Sequence, residues 1–256
     1  MDTAADRTRQ HLRVSHVMRD TELHVIVPVF NEDNNFPQTY RAIREHLGAE
    51  PRIVVVYDFD EDTTVPVVQK LAEQDSSLML LKNTFGRGPA NALRVGFASV
   101  GSGPVLVVMA DLSDDLKDVQ AMMTLYRAGS DIVCGSRYMR GGHQIGGPLV
   151  KRMLSRLAGL SLYYLRSIPT HDITNNFKLY DSRLLKEITI ESKMGFSIAM
   201  EITVKAFLMN KNITEVPTTW RDRTEGEARF KLFKWLPQYL HWYFLAFRPK
   251  HTNTIV

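Results

Sequence analysis

The stretch LVVMADLSDD, Leu106–Asp115, runs five apolar residues straight into an acid, and two more carboxylates follow within four positions. An apolar run of this kind reads as a strand buried on both faces. Its abrupt end in negative charge marks either a helix start or a place where something positive is held. The stretch belongs to a longer unit. PVLVVMAD (104–111) reads as a strand, and DLKDVQAMMTLYRAG (115–129) has helical spacing.

The same unit recurs on both sides. LHVIVPVF (23–30), RIVVVYDF (52–59), SLMLLKN (77–83) and DIVCGSRY (131–138) are further apolar, β-branched runs. FPQTYRAIREHL (36–47), TTVPVVQKLAEQ (63–74) and PANALRVGFASV (89–100) are the helical segments between them. Strands alternating with helices at this cadence predict an α/β fold with a mainly parallel sheet wrapped by helices through right-handed crossovers. Ligands of such sheets bind outside the carboxyl ends of the strands. Here those ends carry Asn31-Glu32, Asp58, Asp111 and Arg137.

After Tyr138 the cadence changes. MRGGHQIGGP (139–148) reads as a glycine-rich connection, and residues 150–167 as an amphipathic helix. A turn, a strand and a helix are expected over 171–188, a helix over 197–210 and a late strand over 213–224. The expected organisation is an N-terminal arm (1–20), one domain (21–231) and an amphipathic, aromatic C-terminal extension (232–256).

Composition bounds the function. The 256 residues are 44% hydrophobic and 23% charged, with a formal net charge of +4, enough for a sizeable core and too balanced for a nucleic-acid-binding field. A single cysteine, Cys134, excludes an internal disulfide and a cysteine zinc cluster, and its apolar setting reads as a buried structural thiol. The N-terminus lacks the apolar core of a signal peptide, and no stretch has the uninterrupted apolar length of a transmembrane helix. A cytoplasmic location is the expectation.

Two acidic clusters carry the chemistry: Asp58, Asp60, Glu61 and Asp62, then Asp111, Asp114 and Asp115. Crowded like charges need compensation, and Mg2+ or Mn2+ with a substrate diphosphate would supply it. The alternative is capping of the next helices by Asp58 or Asp62, and by Asp111 or Ser113. Basic residues follow: Arg137, Lys151-Arg152, and Arg221, Arg223, Arg229 and Lys231 around Gly226. Guanidinium groups grip phosphate oxygens bidentately, and a loop can close them over a diphosphate. A solvated basic face is the alternative. FGRGPANALRVGF (85–97) matches neither a dinucleotide fingerprint nor a P-loop, so Gly88 reads as a tight turn. No Ser-His-Asp set stands out, and His171 reads as a surface or core residue.

Taken in order, VIVPVFNE, the Asp58 region, GRGPANALRVGF, LVVMADLSDD, GSRY, DITNNFKLY, Glu201 and EVPTTWRDRTEGEARFKL resemble family 2 glycosyltransferases, nearest the dolichyl- or polyprenyl-phosphate mannosyltransferase branch, over residues 23–232. The resemblance implies the A-type glycosyltransferase fold and a metal-assisted, inverting transfer from GDP-mannose or a UDP-sugar to a polyprenyl or dolichyl phosphate. It places Pro28, Phe30, Asn31, Glu32 and Asp58 around the donor nucleoside. It gives Asp111 to the metal and donor diphosphate, with Ser113 and Asp114 as further metal-site side chains. Arg137, Arg152, Arg223, Arg229 and Lys231 fall to the phosphates. Asp111, Asp172, Arg137 and Arg223 become the catalytic set, and Asp172 or Glu201 the base if the acceptor is a hydroxyl.

The chain departs from the family pattern at several points. Tyr57, Phe59 and Asp60 stand in the strand-two motif, and Met109 stands where the first acid of the metal motif is expected. Asn175-Asn176 and Ala228-Arg229 are further departures. A soluble or protein hydroxyl acceptor and a non-catalytic sugar-nucleotide or lipid binder are the alternative readings. FKLFKWLPQYLHWYFLAF (230–247) suits either an interfacial helix at a membrane or one packed on the domain. The expected partners are a nucleotide sugar, a polyprenyl-phosphate lipid and the cytoplasmic membrane face, with no nucleic acid and with homo-oligomerisation left open.

Overall fold

The computed structural model describes residues 20–222 and 232–250. Nine strands and eight helices are found among them. The five expected strands form β1 (His24–Pro28), β2 (Arg52–Tyr57), β3 (Leu78–Lys82), β4 (Pro104–Val107) and β5 (Ile132–Ser136). The helices between them are α1 (Phe36–Leu47), α2 (Thr64–Ala72), α3 (Pro89–Ala98) and α4 (Val119–Arg127). Proline at the first turn of α1 and α3 fixes φ where no backbone donor is needed. A single 3₁₀ turn, Leu116–Asp118, precedes α4, and the Asp115 side chain caps it by accepting from Lys117 N.

The second half brings β6 (His143–Ile145), α5 (Leu149–Arg166), β7 (Lys178–Asp181), α6 (Ser182–Glu187), α7 (Ile198–Leu208), β8 (Ile213–Pro217), β9 (Thr219–Arg221) and α8 (Leu232–Leu245). Two sequence expectations are corrected here. The glycine-rich connection holds a strand, β6, and the late strand breaks into β8 and β9. The break falls at Thr218, just after Pro217, the last residue of β8. β9 then pairs in parallel with β6 as a separate two-stranded sheet.

The main sheet has the order β3-β2-β1-β4-β7-β5-β8. All its pairings are parallel except those of β7, which runs antiparallel to both β4 and β5. Chain order reverses between β1 and β4, which opens the crevice where ligands of such sheets bind.

Both sheet faces are covered, as the continuous apolar runs require. Val25, Val27, Ile53, Val55 and Leu106 pack with α1, α2 and α4 residues such as Ile43, Val68 and Met122. Ile26, Val54, Val56, Val105 and Val107 face the other way, into a cluster with Leu93 of α3 and Ile202 of α7. Each such buried aliphatic side chain contributes about 1.5–3 kcal/mol. Gly96 lets α3 lie close to β1, because a Cβ there would stand 2.5 Å from the Ile26 side chain.

The expected extension is α8. It packs on α7 and α5, and Trp242 is buried, its indole N–H donating to Ser192 Oγ at 3.1 Å. The N-terminal arm, apart from Asp20, lies outside the described residues, as do the phosphate-loop residues Arg223, Arg229 and Lys231.

Candidate active site

The carboxyl ends of β1, β2, β4 and β5 open into a cavity of about 1300 Å³. Its polar end is lined by Glu32, Asp58, Asp111, Ser113, Asp114 and Arg137. Its apolar end runs between α5 and α8, against Leu154, Leu157, Trp235, Leu236, Tyr239 and Phe244.

The opening stretch is built differently from a plain strand. β4 ends at Val107, because the chain turns out of the ladder and Met109 N donates to Asp114 Oδ2 at 3.0 Å. The turn carries Leu112 at φ 60, a left-handed conformation costly for a leucine and characteristic of functional sites. Asp111 Oδ1 accepts from Ser113 N at 3.2 Å, and Thr39 of α1 donates to the Ala110 carbonyl at 2.9 Å. Arg221 N of β9 donates to the Ser113 carbonyl at 3.0 Å, so the small sheet braces the same turn.

Met109 packs against the hydrophobic core, and Asp114 supplies the second carboxylate of the turn. Burial, and then the neighbouring charge of Asp111, lift the Asp114 carboxyl to about 7, against the backbone donor from Met109 and the Arg137 charge. The Ser113 hydroxyl is buried and has no hydrogen-bond partner among the described residues. Among the described residues no three His, Cys, Asp or Glu side chains are grouped to hold a metal by themselves. Two neighbouring carboxylates, Asp111 and Asp114, beside a buried Ser113 hydroxyl fit a hard cation that takes its remaining ligands from substrate phosphate and water. Asp60, from the first acidic cluster, pairs with Lys82 at 2.6 Å and does not line the cavity.

At β1 and β2 the side chains tie two turns together. Asp62 Oδ1 accepts from Asn31 N at 3.0 Å and from Thr64 N at 2.9 Å, and Asn31 Oδ1 accepts from Thr63 N at 3.1 Å. Asn31 is thus a brace and does not line the cavity, while Pro28, Phe30 and Glu32 do. Asp58 accepts from Asn83 Nδ2 at 2.7 Å and from Gly88 N at 2.8 Å, which fixes the GRG turn at the start of α3. Phe59, one of the departures from the family pattern, meets Phe30 edge-on at 5.3 Å and lies under the Arg87 guanidinium at 4.9 Å. Arg87, inside the GRG motif of which the sequence reading interpreted only Gly88, also lines the cavity.

At β5, Arg137 forms a fork on Asp172: Nε to Oδ2 at 2.6 Å and Nη2 to Oδ1 at 2.9 Å. Arg137 Nη2 also reaches Thr174 Oγ1 at 3.2 Å. Burial opposes the charge of Asp172, but the guanidinium holds its carboxyl below the usual range. Burial likewise opposes the charge of Arg137, and Asp172 overrides it to raise the guanidinium's affinity for its proton. Asp172 is fully buried and lies behind Arg137, which lines the cavity.

Behind the pair sits Lys178, which the sequence reading did not single out. It is fully buried, and its ammonium donates to the carbonyls of Asp172, Ile173 and Asn175 at 3.3, 3.2 and 2.5 Å. The only available signal was a lysine inside an apolar strand. Arg152 is exposed on α5 and does not line the cavity, whereas its neighbour Lys151 does.

Glu201 is corrected. Its carboxylate is buried and accepts from Glu191 N, Ser192 N and Lys205 Nζ at 2.6, 2.8 and 2.7 Å, away from the cavity lining. It organises a loop and is not placed to act as a base. His171 stacks on Tyr163 at 3.8 Å and bonds Glu215, a packing role. Cys134 is fully buried, and burial pushes its thiol up to about 11, in keeping with a structural thiol.

The parallel sheet with one reversed strand, its crevice at the β1/β4 switch and the acidic turn there define the A-type glycosyltransferase fold. Solved structures agree: glucosyl-3-phosphoglycerate synthase from Mycobacterium tuberculosis, in complex with Mn2+, UDP and glucosyl-3-phosphoglycerate, superposes with a TM-score of 0.65 at 13% identity, covering 88% of this chain and 80% of that one. The glycosyl transferase family 2 model matches residues 24–189, and the chain belongs to that family. It is therefore a glycosyltransferase.

Among its relatives, the dolichol-phosphate mannosyltransferase of Pyrococcus furiosus is 30% identical over 216 residues, 82% of this chain and 59% of the relative. The undecaprenyl-phosphate mannosyltransferase of Micrococcus luteus is 30% identical over 210 residues, 80% of this chain and 85% of the relative. The polyprenol monophosphomannose synthase of Mycolicibacterium smegmatis is 28% identical over 228 residues, covering 82% and 85%. This chain thus spans less than two thirds of the Pyrococcus relative's length.

Proposed function

We propose that this glycosyltransferase moves mannose, with inversion, from a nucleotide sugar such as GDP-mannose to a polyprenyl phosphate, working at the cytoplasmic face of a membrane. One observation carries the reading: a single cavity that is acidic and arginine-lined at the sheet edge and apolar between α5 and α8. An acceptor with an anionic head and a hydrocarbon tail matches both ends. The named relatives support the same acceptor class and sugar.

The residues divide the work. Pro28, Phe30 and Glu32 wall the nucleoside, with Asn31 and Asp58 holding the turns that carry them. Asp111, with Ser113 and Asp114 beside it, would hold Mg2+ or Mn2+. Such an ion, when bound, stabilises the charge that develops on a departing diphosphate. The solved neighbour with bound Mn2+ and UDP supports this assignment. Arg137, locked by Asp172, offers a guanidinium edge whose Nη1 lies outside the fork. That edge orients a phosphate oxygen for attack opposite the leaving group.

A lipid phosphate is already an anion and needs positioning more than a base. The engagement of Asp172 and Glu201 by their own partners favours such an acceptor over a hydroxyl. Arg223, Arg229 and Lys231 complete the phosphate contacts in this reading.

The test combines purified protein, radiolabelled nucleotide sugars, a polyprenyl phosphate, and Mg2+ or Mn2+. Label in the organic phase is the expected result, and label only on a hydroxyl acceptor would overturn the lipid assignment. Asp111→Asn is expected to lower transfer by about 10²-fold or more without unfolding the protein, and unchanged transfer would remove Asp111 from the diphosphate site.

A further inference from the structure

Between the ends of β1 and β2 and the start of α3, the cavity has an aromatic and cationic corner. Phe30 follows β1, Phe59 follows β2, and Arg87 sits in the connection from β3 to α3. Phe30 and Arg87 line the cavity. Phe59 does not, yet it touches both: it meets the Phe30 ring edge-on at 5.3 Å and carries the Arg87 guanidinium over its face at 4.9 Å.

The corner is held firmly. Arg87 stands between Gly86 and Gly88, at φ 99 and φ 126, conformations that suit glycine. The Asn83 amide donates to the Gly86 carbonyl at 2.8 Å and to Asp58 Oδ1 at 2.7 Å, and Gly88 N donates to Asp58 Oδ2 at 2.8 Å. The turn is therefore clamped on both sides of Arg87. The Phe59 face steadies the side chain itself, as aromatic rings do for a planar guanidinium. Among the described residues that guanidinium makes no hydrogen bond or ion pair, which leaves its N–H donors to a ligand of the cavity.

Sheet order separates this corner from the phosphates. The order β3-β2-β1-β4 puts two strand spacings, about 10 Å, between the end of β2 and the Asp111 turn after β4. A nucleotide whose diphosphate lies at Asp111 therefore brings its base, and not its phosphates, to Arg87.

Base chemistry then selects. A guanidinium offers two parallel N–H donors. Guanine presents two adjacent acceptors, O6 and N7, which take that fork. Adenine puts an amino donor beside its N7, and uracil has no such adjacent pair. The Phe30 ring, 41% exposed, offers an aromatic surface on which a base can stack.

We infer that Arg87, positioned by Phe59, is the residue by which this enzyme selects a guanine nucleotide over uracil and adenine nucleotides. Phe59 is one of the departures from the family pattern, so the selection is a property of this chain and not of the fold. The inference rests on the sugar-nucleotide reading of the cavity and goes beyond it by naming the base and the group that reads it.

The test is isothermal titration of the full chain with GDP, UDP, ADP and 7-deaza-GDP in the presence of Mn2+. 7-Deaza-GDP keeps O6 and the diphosphate but lacks the N7 acceptor. Wild type is expected to bind GDP about tenfold or more tighter than each of the other three. Arg87→Ala is expected to weaken GDP about tenfold and to bring the ratio of GDP to 7-deaza-GDP affinity to about one. Phe59→Gly is expected to lower the same ratio and Phe59→Tyr to keep it. A purely structural role for Phe59 would weaken all four nucleotides together and leave the ratio unchanged.

UDP or ADP bound by wild type as tightly as GDP would overturn the inference. So would an Arg87→Ala protein that keeps the wild-type ratio, or one that loses all four nucleotides equally, since Arg87 would then be a phosphate contact. A Phe59→Gly protein with the wild-type ratio would overturn the positioning role. Folded wild-type protein that binds none of the four would instead count against the sugar-nucleotide reading itself, and the inference would fall with it.

Discussion

Asp172 has no exposed surface, yet its position decides what Arg137 can do. Two charges taken out of water are stable together only when their geometry and hydrogen bonds are good, and here the guanidinium fork and the Thr174 hydroxyl provide both. Removing one partner leaves the other charged and buried. Asp172→Ala is therefore expected to cost about 3–5 kcal/mol in urea unfolding, and to abolish transfer through the displaced Arg137. Replacing both, as Arg137→Met/Asp172→Leu, is expected to recover most of the stability and none of the activity. A double variant as unstable as Asp172→Ala would show that the pair is not self-contained, and Lys178, which holds the same loop by three carbonyls, would then be the group left stranded.

At the level of elements, the contact of α5 with the Thr170–Asp172 turn is the sharpest. In an exposed helix interior, alanine in place of glycine stabilises by up to about 1 kcal/mol. At Gly159 the sign should invert, because the new methyl would meet a backbone carbonyl that has no rotamer to yield. Gly159→Ala is expected to destabilise by about 1–3 kcal/mol, read as a lowered urea midpoint at constant slope. A raised midpoint would mean that α5 does not seat against this turn.

Nothing in the run LSRLAGLSLYY distinguishes that glycine, since helical spacing reports which face is apolar and not how near a backbone comes. The same limit explains the other elements that were misread. Residues 52–57 and 132–136 were legible because both their faces are buried. β6 was not, because its three residues owe their pairing to β9, far off in sequence. The reversal of β7 was equally silent, since an antiparallel strand buried on both faces carries the same apolar run as a parallel one. Of the site, the acids at the strand ends were legible from where the apolar runs stop. Asp114 was legible as an acid of that cluster, but the turn that brings it beside Asp111 was not, because it depends on Leu112 at positive φ and on Met109 N donating to Asp114.

For the whole molecule, the sheet is a platform whose two faces are tied down by different means, and acid should release one of them first. α1 is clamped to the α2–β3 turn by Asp75, which accepts from Tyr40 Oη at 2.7 Å, Arg44 Nε at 2.9 Å and Ser77 N and Oγ at 3.0 and 2.6 Å. Burial disfavours the charged carboxylate, but these donors outweigh it and hold Asp75 far below the usual carboxylate range.

A carboxyl depressed in the folded state contributes stability above its unfolded value, near pH 4, and loses it as pH falls toward the folded value. Asp75→Asn is therefore expected to cost about 1–2 kcal/mol at pH 7, allowing for the partial exposure of the pair, and progressively less in acid. Urea unfolding of both proteins at pH 7 and pH 3 measures this, and equal differences at the two values would exclude the ionised clamp. The consequence reaches the site, because α1 also carries Thr39, whose hydroxyl holds the Ala110 carbonyl at the base of the Asp111 turn. Weakening the clamp should therefore loosen the acidic turn before it unfolds the sheet. Amide exchange in residues 109–114 should accelerate in Asp75→Asn at pH 7 while β5 stays protected. Uniform acceleration across the sheet would show that α1 and the turn move only with global unfolding.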